Sequence, residues 1–220
     1  MRCPQIDELP PPPAGKTGWP WTEASPRLAD RAPDGSAWPR ISIVTPTFNH
    51  VRYIEQTIRT VLLQGYPDLE YLVIDGGSTD GTVDVIRKYE PWIARWVSEP
   101  DRGQSHAINK GLAAATGRWA TWLCSDDLFL PGALSTVARY AAAHPKARWL
   151  TGSAEYVYEE TGERNRYAAT YRSADRMMDF WLYGSPGHTI PQQAVFWDMD
   201  LWRQAGGLNE QWDLAMDYDL

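Results

Sequence analysis

The sequence has few of the residues that build a disulfide framework or a membrane span. Only two of its 220 residues are cysteines: Cys3 lies in a proline-rich stretch and Cys124 in an apolar run. A disulfide-stapled fold of the kind found in small secreted proteins is therefore not expected. No apolar run approaches the roughly 20 residues that a membrane-spanning helix needs, and the first residues lack a signal-peptide core. We expect a cytoplasmic protein, with peripheral attachment to the inner face of the membrane left open.

Positive charge is also scarce. The chain has 21 Lys and Arg against 28 Asp and Glu, which gives a formal net charge of −7. This balance argues against nucleic acid as the main partner, because phosphate backbones attract basic surfaces. An anionic small substrate stays compatible with it, provided that a metal ion or local basic residues mask the charge.

Three familiar binding patterns are missing. No Gly-x-Gly-x-x-Gly follows a predicted strand, which disfavours a dinucleotide-dependent dehydrogenase. The Gly-Lys-Thr at 15–17 is not a phosphate-binding loop, because Pro10 stands where that motif needs a glycine and no strand precedes it. His106 and His144 have no cysteine or histidine partners at zinc-ligand spacing.

Proline divides the chain into two parts. Residues 1–39 are rich in proline and show no sustained periodicity. Because proline fixes φ and removes a backbone donor, we expect an extended leader there and not a folded domain. Residues 40–220 are expected to form one domain. An amphipathic pattern begins at 215–220 and stops with the chain, so this domain is expected to be truncated at its C-terminus.

From residue 41 onward, strand patterns alternate with helix patterns. β-branched and apolar runs predict buried strands at 41–46 and 69–75, a short strand at 94–99 and a further strand at about 117–127. Apolar residues at helical spacing predict helices between and after these strands, the first of them capped by Asn49. Such alternation is typical of α/β proteins with a mainly parallel sheet flanked by helices. After residue 148, two strands joined by a turn at 161–162 predict an added antiparallel portion.

Polar side chains gather where three of the predicted strands end, at 45–49, 75–78 and 125–127. Ligands of open α/β sheets bind at the carboxyl ends of the strands. Each cluster alone is compatible with helix capping, but all three in register favour a ligand site. Asp75 is suited to accept a hydrogen bond from a base N–H or a ribose hydroxyl. Lys110, on the helix at 104–116, either touches a phosphate or lies on a solvated face.

The adjacent carboxylates Asp126 and Asp127 have a chemical use. Like charges side by side repel each other, so a pair held at a strand end points to a cation. Mg²⁺ or Mn²⁺ prefers oxygen ligands and keeps waters and substrate phosphates in its shell. We interpret Asp126 and Asp127 as ligands of such an ion, which neutralises charge on a diphosphate.

Five segments together resemble family 2 of the inverting glycosyltransferases. In chain order they are SIVTPTFNH, LEYLVIDGGSTDGT, SEPDRGQSHAINKGLAAATG, TWLCSDDLFLPGAL and AMDYDL. The resemblance covers roughly residues 40–220 and implies a GT-A (Rossmann-like) catalytic domain with an antiparallel acceptor-side portion. It also implies transfer of a sugar from a nucleoside-diphosphate donor, UDP favoured, to a hydroxyl of a glycan or lipid-linked acceptor. Such transfers build polysaccharides.

The resemblance also implies roles for single residues. Pro46 and Thr47 would line the nucleotide pocket, and Asp75 would contact the base. Asp126 would approach the ribose or sugar. Asp127 would ligate Mg²⁺ or Mn²⁺, the SDD segment being the equivalent of the family's DXD motif.

The family's catalytic carboxylate corresponds to Asp217 here, with Asp219 as the alternative. It would take the proton of the acceptor hydroxyl as the new bond forms. The sequence departs from the family in two places: Gly76 replaces the second of two acids found in many members, and Met216 replaces the glutamate that usually precedes the base.

Two other hypotheses stay open. A sugar-nucleotide pyrophosphorylase also binds nucleotides on an α/β sheet, but the glycine-rich, basic loop expected after its first strand is absent from TPTFNHVRY. A non-catalytic or truncated module that binds a nucleotide or glycan without turnover is the other.

Overall fold

The computed structural model describes residues 2–158, 160–170 and 190–211. These parts contain eight strands and five α-helices. The strands are β1 (Ile41–Thr47), β2 (Leu69–Asp75), β3 (Arg95–Ser98), β4 (Trp119–Trp122), β5 (Trp149–Thr151), β6 (Ala154–Val157), β7 (Arg164–Tyr167) and β8 (Val195–Asp198). The helices are α1 (Ile54–Leu62), α2 (Thr82–Tyr89), α3 (Gln104–Ala114), α4 (Ala133–Ala143) and α5 (Met199–Ala205).

Six of the strands form one sheet in the order β3-β2-β1-β4-β8-β5. Strands β1 to β4 are parallel, and β8 runs antiparallel to both of its neighbours. Strands β6 and β7 form a separate antiparallel pair. The predicted mainly parallel sheet with an antiparallel addition is confirmed.

The two faces of the sheet bury different residues of the same strands. Alternate side chains of a strand point to opposite faces. Ile43 of β1 and Val73 of β2 pack with the apolar sides of α1, α2 and α4. Val44 and Ile74 pack on the other face with α3 and with a tryptophan cluster that includes Trp122. Helices therefore cover both faces, as parallel sheets require.

Helix α3 approaches the sheet closely through Gly111. A Cβ at this position would lie 2.9 Å from Cγ2 of Val44 and 3.1 Å from Cγ1 of Ile74. Real Cβ atoms rarely come so near, so the helix would have to move away from β1 and β2 to accept one. The absent side chain thus sets the distance between α3 and the sheet.

The N-terminal 2–39 segment is irregular apart from a 3-10 helix at Ile6–Glu8, and it lies against the loop after α1. Backbone bonds tie it there: Ser25 N donates to Leu63 O at 2.9 Å and Leu28 N to Gly65 O at 3.0 Å. Arg59 of α1 is fully buried. Its guanidinium donates to three carbonyls of the segment, those of Pro10, Pro20 and Trp21.

We predict that Gly111→Ala lowers the free energy of unfolding by about 1–2 kcal/mol. Overpacking a close contact usually destabilises by about 1–3 kcal/mol, and the better helix propensity of alanine offsets about 1 kcal/mol of this. Urea denaturation measures the change. Gly152→Ala is the control, because its Cβ would meet Ala194 at an ordinary 3.6 Å. A Gly111→Ala protein as stable as the control would contradict the close packing of α3.

Candidate active site

The sheet register aligns the ends of the first three strands. Thr47 at the end of β1 pairs with Asp75 at the end of β2, and Asp75 pairs with Ser98 at the end of β3. On the other side of β1, Trp122 is the last residue of β4 and pairs with Val44. The three polar clusters expected from the sequence therefore follow neighbouring strands at one edge of the sheet.

The paired acids lie in a turn beyond β4 and not on the strand itself. The strand was expected to reach residue 127, but it ends at Trp122. Leu123 N still donates to Val44 O at 2.9 Å, and the chain then turns so that Asp127 N donates to Cys124 O at 3.0 Å. We name residues 124–130 the acidic loop.

The two carboxylates of the acidic loop differ in exposure. Asp126 is exposed and Asp127 is half-buried. Burial, followed by the neighbouring charge of Asp126, raises the pKa of Asp127 to about 6. Both effects disfavour the ionised form, and a bound cation would reverse them.

Helix α1 holds the acidic loop through Thr57. This threonine is fully buried, and its hydroxyl lies 2.8 Å from Ser125 O and 2.9 Å from Asp127 O. A single side chain thus fixes the backbone on both sides of Asp126. The carboxylates are free to bind a ligand because the bonds go to backbone carbonyls.

Two further polar residues continue the same face of α1. Phe129 N donates to Thr60 Oγ1 at 3.3 Å. The side chain of Gln64 donates to Leu130 O at 3.1 Å and accepts from Leu134 N at 3.3 Å. Residues 57 and 60 share a face of α1 by their spacing, and Gln64 continues it in the turn just after the helix ends at Leu62. We name these three the α1 polar face.

The α1 polar face was not found from the sequence. The prediction for this helix used its apolar positions at 54, 58, 61 and 62. The available signal was a second periodic set, polar residues at 57, 60 and 64 between them. A polar set of that kind is normally solvated, and only the packed structure shows that it is buried.

The loops after β1 and β2 are joined to each other and to the acidic loop. His50 Nδ1 lies 2.6 Å from Ser125 Oγ. Asn49 was predicted to cap α1, which is wrong, because the helix begins at Ile54. Asn49 instead adopts a positive φ of 54°, and its side chain accepts from Thr79 N at 2.9 Å.

Asp75 is fully buried at the end of β2 and braces the loop that follows it. Its carboxylate accepts hydrogen bonds from Gly77 N at 3.1 Å, from Ser78 N at 2.9 Å and from the Ser78 hydroxyl. The Ser98 hydroxyl adds a fourth at 2.6 Å. Three of these four bonds reach Oδ2 and one reaches Oδ1, so most of the acceptor capacity of Asp75 holds the loop after β2.

The other residues expected to bind the donor lie at the same edge or near it. Pro46 and Thr47 are buried, and Thr47 Oγ1 has no hydrogen-bond partner among the described residues. The Lys110 ammonium forms an ion pair with Glu99. Its contact with a phosphate stays a prediction.

The expected catalytic acids, Asp217 and Asp219, lie outside the described residues. Residues 208 and 210 are held by α3 and by the loop before it. The Asn109 side chain accepts a hydrogen bond from the Leu208 N–H and donates one to the Leu208 carbonyl, both at 2.9 Å. Arg102 adds an ion pair with Glu210 at 2.5 Å.

Known proteins resemble this chain in sequence. The sequence profile of glycosyl transferase family 2 matches residues 42–203. The chain belongs to this family. A relative from Mycobacterium bovis, a PGL/p-HBAD biosynthesis glycosyltransferase, is 27% identical over 83% of this chain and 68% of its own length. Four relatives at 35–40% identity are matched over only 31–36% of their length, so this chain spans about a third of those proteins.

Solved structures of glycosyltransferases share the fold. The mannosyltransferase PcManGT from Pyrobaculum calidifontis, in complex with GDP-Man and Mn²⁺, superposes with a TM-score of 0.60 at 23% identity, over 88% of this chain and 53% of its own. Residues 1–349 of S. aureus TarS in complex with UDP give a TM-score of 0.64 at 19% identity, over 81% of this chain and 53% of their own. The GT-A fold expected from the sequence is confirmed for this family 2 chain.

Among the described residues, no helix of this family 2 chain is long and apolar enough to cross a membrane. Those residues also contain no group of three or more His, Cys, Asp or Glu side chains placed to hold a metal ion.

We predict that Thr57→Val lowers the free energy of unfolding by about 1–2 kcal/mol, because the one buried hydroxyl donor that the Ser125 and Asp127 carbonyls share is lost. It should also weaken Mn²⁺ binding, because the acidic loop loses its restraint. Urea denaturation and calorimetric Mn²⁺ titration measure the two effects. The control is Thr136→Val on α4, where the threonine is exposed and its hydroxyl bonds Gly132 O at 3.0 Å. Equal behaviour of the two variants would refute a positioning role for Thr57.

We predict that Asp127→Asn stabilises the metal-free protein at pH 7 by about 1–3 kcal/mol. The folded pKa of about 6 exceeds the ordinary 3.8, so the folded state binds more protons between these values. Stability therefore falls as the pH rises from about 4 to about 6, and the asparagine variant escapes this loss. Urea denaturation with a chelator at pH 4.5 and pH 7 measures the difference.

The control for that substitution is Asp84→Asn, at an exposed carboxylate paired with Arg87 at 3.0 Å. Exposed ion pairs contribute little, so this variant should gain no stability at pH 7. If Asp127→Asn were no more stable than Asp84→Asn at pH 7, burial and the charge of Asp126 would not disfavour the ionised form of Asp127.

Proposed function

We propose that this chain is the catalytic part of an inverting glycosyltransferase that uses a nucleoside-diphosphate sugar, with UDP favoured, and Mg²⁺ or Mn²⁺. The observation that carries the proposal is the acidic loop. Two adjacent carboxylates lie at the carboxyl edge of a parallel sheet, and the pKa of Asp127 is raised by burial and by Asp126. Catalytic sites of α/β proteins lie at this edge.

The donor set of the acidic loop fits a hard divalent ion. Asp127 and Asp126 would hold it, and when bound it neutralises charge on the departing diphosphate. Two carboxylates leave most of the coordination shell open. This is the usual arrangement for Mg²⁺, which takes one or two carboxylates and completes its shell with waters and substrate phosphates. Asp126, which is exposed, would approach the ribose or sugar as well.

The remaining residues of the edge would bind and orient the donor. Pro46 and Thr47 end β1 between the acidic loop and β2 and would line the nucleotide pocket. Asp75 would contact the base, and its bonds to Gly77, Ser78 and Ser98 would keep the loop after β2 in shape. Lys110 would contact a phosphate through the donors that its ion pair with Glu99 leaves available.

The acceptor hydroxyl would lose its proton to Asp217, with Asp219 as the alternative. A positioned carboxylate base typically accelerates such a transfer by about 10²- to 10⁴-fold. The chain that precedes this base would be anchored at two points. Asn109 of α3 bonds Leu208, and Arg102 in the loop before α3 pairs with Glu210. A glycan or lipid-linked hydroxyl is the acceptor class we favour, in keeping with the glycolipid biosynthesis for which the M. bovis relative is named.

Calorimetric titration of UDP and GDP, with and without Mn²⁺, tests the proposal. We expect nucleotide affinity to depend on Mn²⁺ and to fall by more than about 100-fold in Asp127→Asn, since outer-sphere partners of a metal alone contribute about 10- to 100-fold. Asp84→Asn, on the surface of α2, should bind as the unsubstituted chain does. Mn²⁺-dependent affinity that persists in Asp127→Asn would show that the acidic loop is not the metal site.

A further inference from the structure

The N-terminal segment, residues 2–39, contacts the chain just beyond the paired acids. Trp19 Nε1 donates to Phe129 O of the acidic loop at 2.9 Å, across 110 positions of sequence. Ser25 is buried, and its hydroxyl oxygen accepts from Gly132 N at 2.9 Å. Two side chains of the segment therefore bond the backbone shortly after Asp127.

Phe129 is the residue at which this contact meets the restraint from α1. Its N–H donates to Thr60 Oγ1 at 3.3 Å, while its carbonyl accepts from Trp19. Its ring is buried and stacks on Phe196 of β8, with 5.9 Å between the ring centroids. Because Thr57 holds the acidic loop near its start, the bond from Trp19 completes the restraint at its end.

The N-terminal segment can supply such a restraint because it is itself fixed on α1. The guanidinium of the buried Arg59 donates to the carbonyls of Pro20 and Trp21, the two residues that follow Trp19. Its Cζ also lies 5.5 Å from the ring centroid of Trp21. A buried cation needs partners for its donors, so these bonds are costly to break. The backbone that carries Trp19 therefore has a fixed position relative to α1.

We propose that Trp19 is a positioning residue of the metal site, which holds the acidic loop in the conformation that binds Mg²⁺ or Mn²⁺. This inference rests on the proposed function. The indole acts through the Phe129 carbonyl and touches no ligand. A loop already held in its bound conformation loses less freedom when the ion binds, which raises its affinity. Without the indole N–H, Asp126 and Asp127 can move apart to relieve their repulsion, and ion binding has to bring them together again.

Calorimetric titration of Mn²⁺ in the presence of UDP tests this role through Trp19→Phe, which keeps an aromatic ring and removes the N–H donor. We expect the affinity for Mn²⁺ to fall about 3- to 10-fold, the range that the loss of one net hydrogen bond produces. Ser25→Ala removes the acceptor of the Gly132 amide and should weaken Mn²⁺ binding as well. It provides a second variant with a smaller change in side-chain volume.

Trp38→Phe is the matched control. Trp38 belongs to the same segment, and its Nε1 also donates to a backbone carbonyl at 2.9 Å, but this carbonyl is that of Ala29 within the segment. The substitution and the type of hydrogen bond lost are the same in the two variants, and the partner differs. Trp38→Phe should lower the urea midpoint of unfolding and leave the affinity for Mn²⁺ unchanged.

Amide hydrogen exchange, measured by mass spectrometry, separates positioning of the loop from a general loss of stability. Exchange reports local opening of the backbone. In the metal-free protein, Trp19→Phe should speed the exchange of the amides at 128–132 more than that of the rest of the chain. Trp38→Phe should not affect these amides more than the others.

The outcomes separate this inference from the proposed function. Weaker Mn²⁺ binding and faster local exchange in Trp19→Phe, with neither change in Trp38→Phe, support the inference. Equal Mn²⁺ affinity in the two variants, or weaker binding without faster local exchange, overturns it and leaves the proposed function standing. If the unsubstituted chain bound neither UDP nor GDP in the presence of Mn²⁺, the proposed function would fail and the inference with it.

Discussion

Two like charges held side by side at the edge of a sheet are the constraint on which the rest of the site depends. Asp126 and Asp127 repel each other, and burial makes the ionised form of Asp127 still less favourable. Without a restraint, the loop would relieve this repulsion by turning one carboxylate away. The structure supplies the restraint through backbone atoms, so that both side chains stay available to a cation.

The restraint comes from α1 and the turn that follows it. The hydroxyl of Thr57 bonds the carbonyls of Ser125 and Asp127, and Thr60 and Gln64 continue the contact toward α4. Buried hydrogen bonds of this kind contribute modestly when made and are costly to lose, because an unpaired carbonyl then stays buried. The polar face of α1 is thus as much a part of the proposed metal site as the acids themselves, although it touches no ligand.

The sequence predicts the elements that depend on local pattern. Apolar runs bounded by glycine and proline located β1 and β2 to within one residue, and the pair at 126–127 pointed to the edge at which a ligand would bind. The parallel order of the strands follows from the same alternation. The strand predictions succeeded because a strand is encoded within a short stretch of chain, whereas the ligand site at 126–127 stays a prediction.

The predictions that failed or fell short involve partners far apart in the chain. The sequence around Asp75 does not predict that the Ser98 hydroxyl will donate to its carboxylate. The sequence around Gly76 does not predict that Asp101 will lie against it. The cap assigned to Asn49 was wrong for the same reason, since its side chain bonds Thr79 across the neighbouring loop. Such contacts depend on tertiary packing, which periodicity does not encode.

The central claim is that a divalent ion lies between the carboxylates of the acidic loop and the diphosphate of a nucleotide. Anomalous diffraction at the manganese edge, from crystals grown with Mn²⁺ and UDP, tests it most directly. The account predicts an anomalous peak about 2.1 Å from a carboxylate oxygen of Asp127 and from a phosphate oxygen, a distance typical of a hard divalent ion. A peak coordinated by other residues, with Asp126 and Asp127 turned toward solvent, would contradict it.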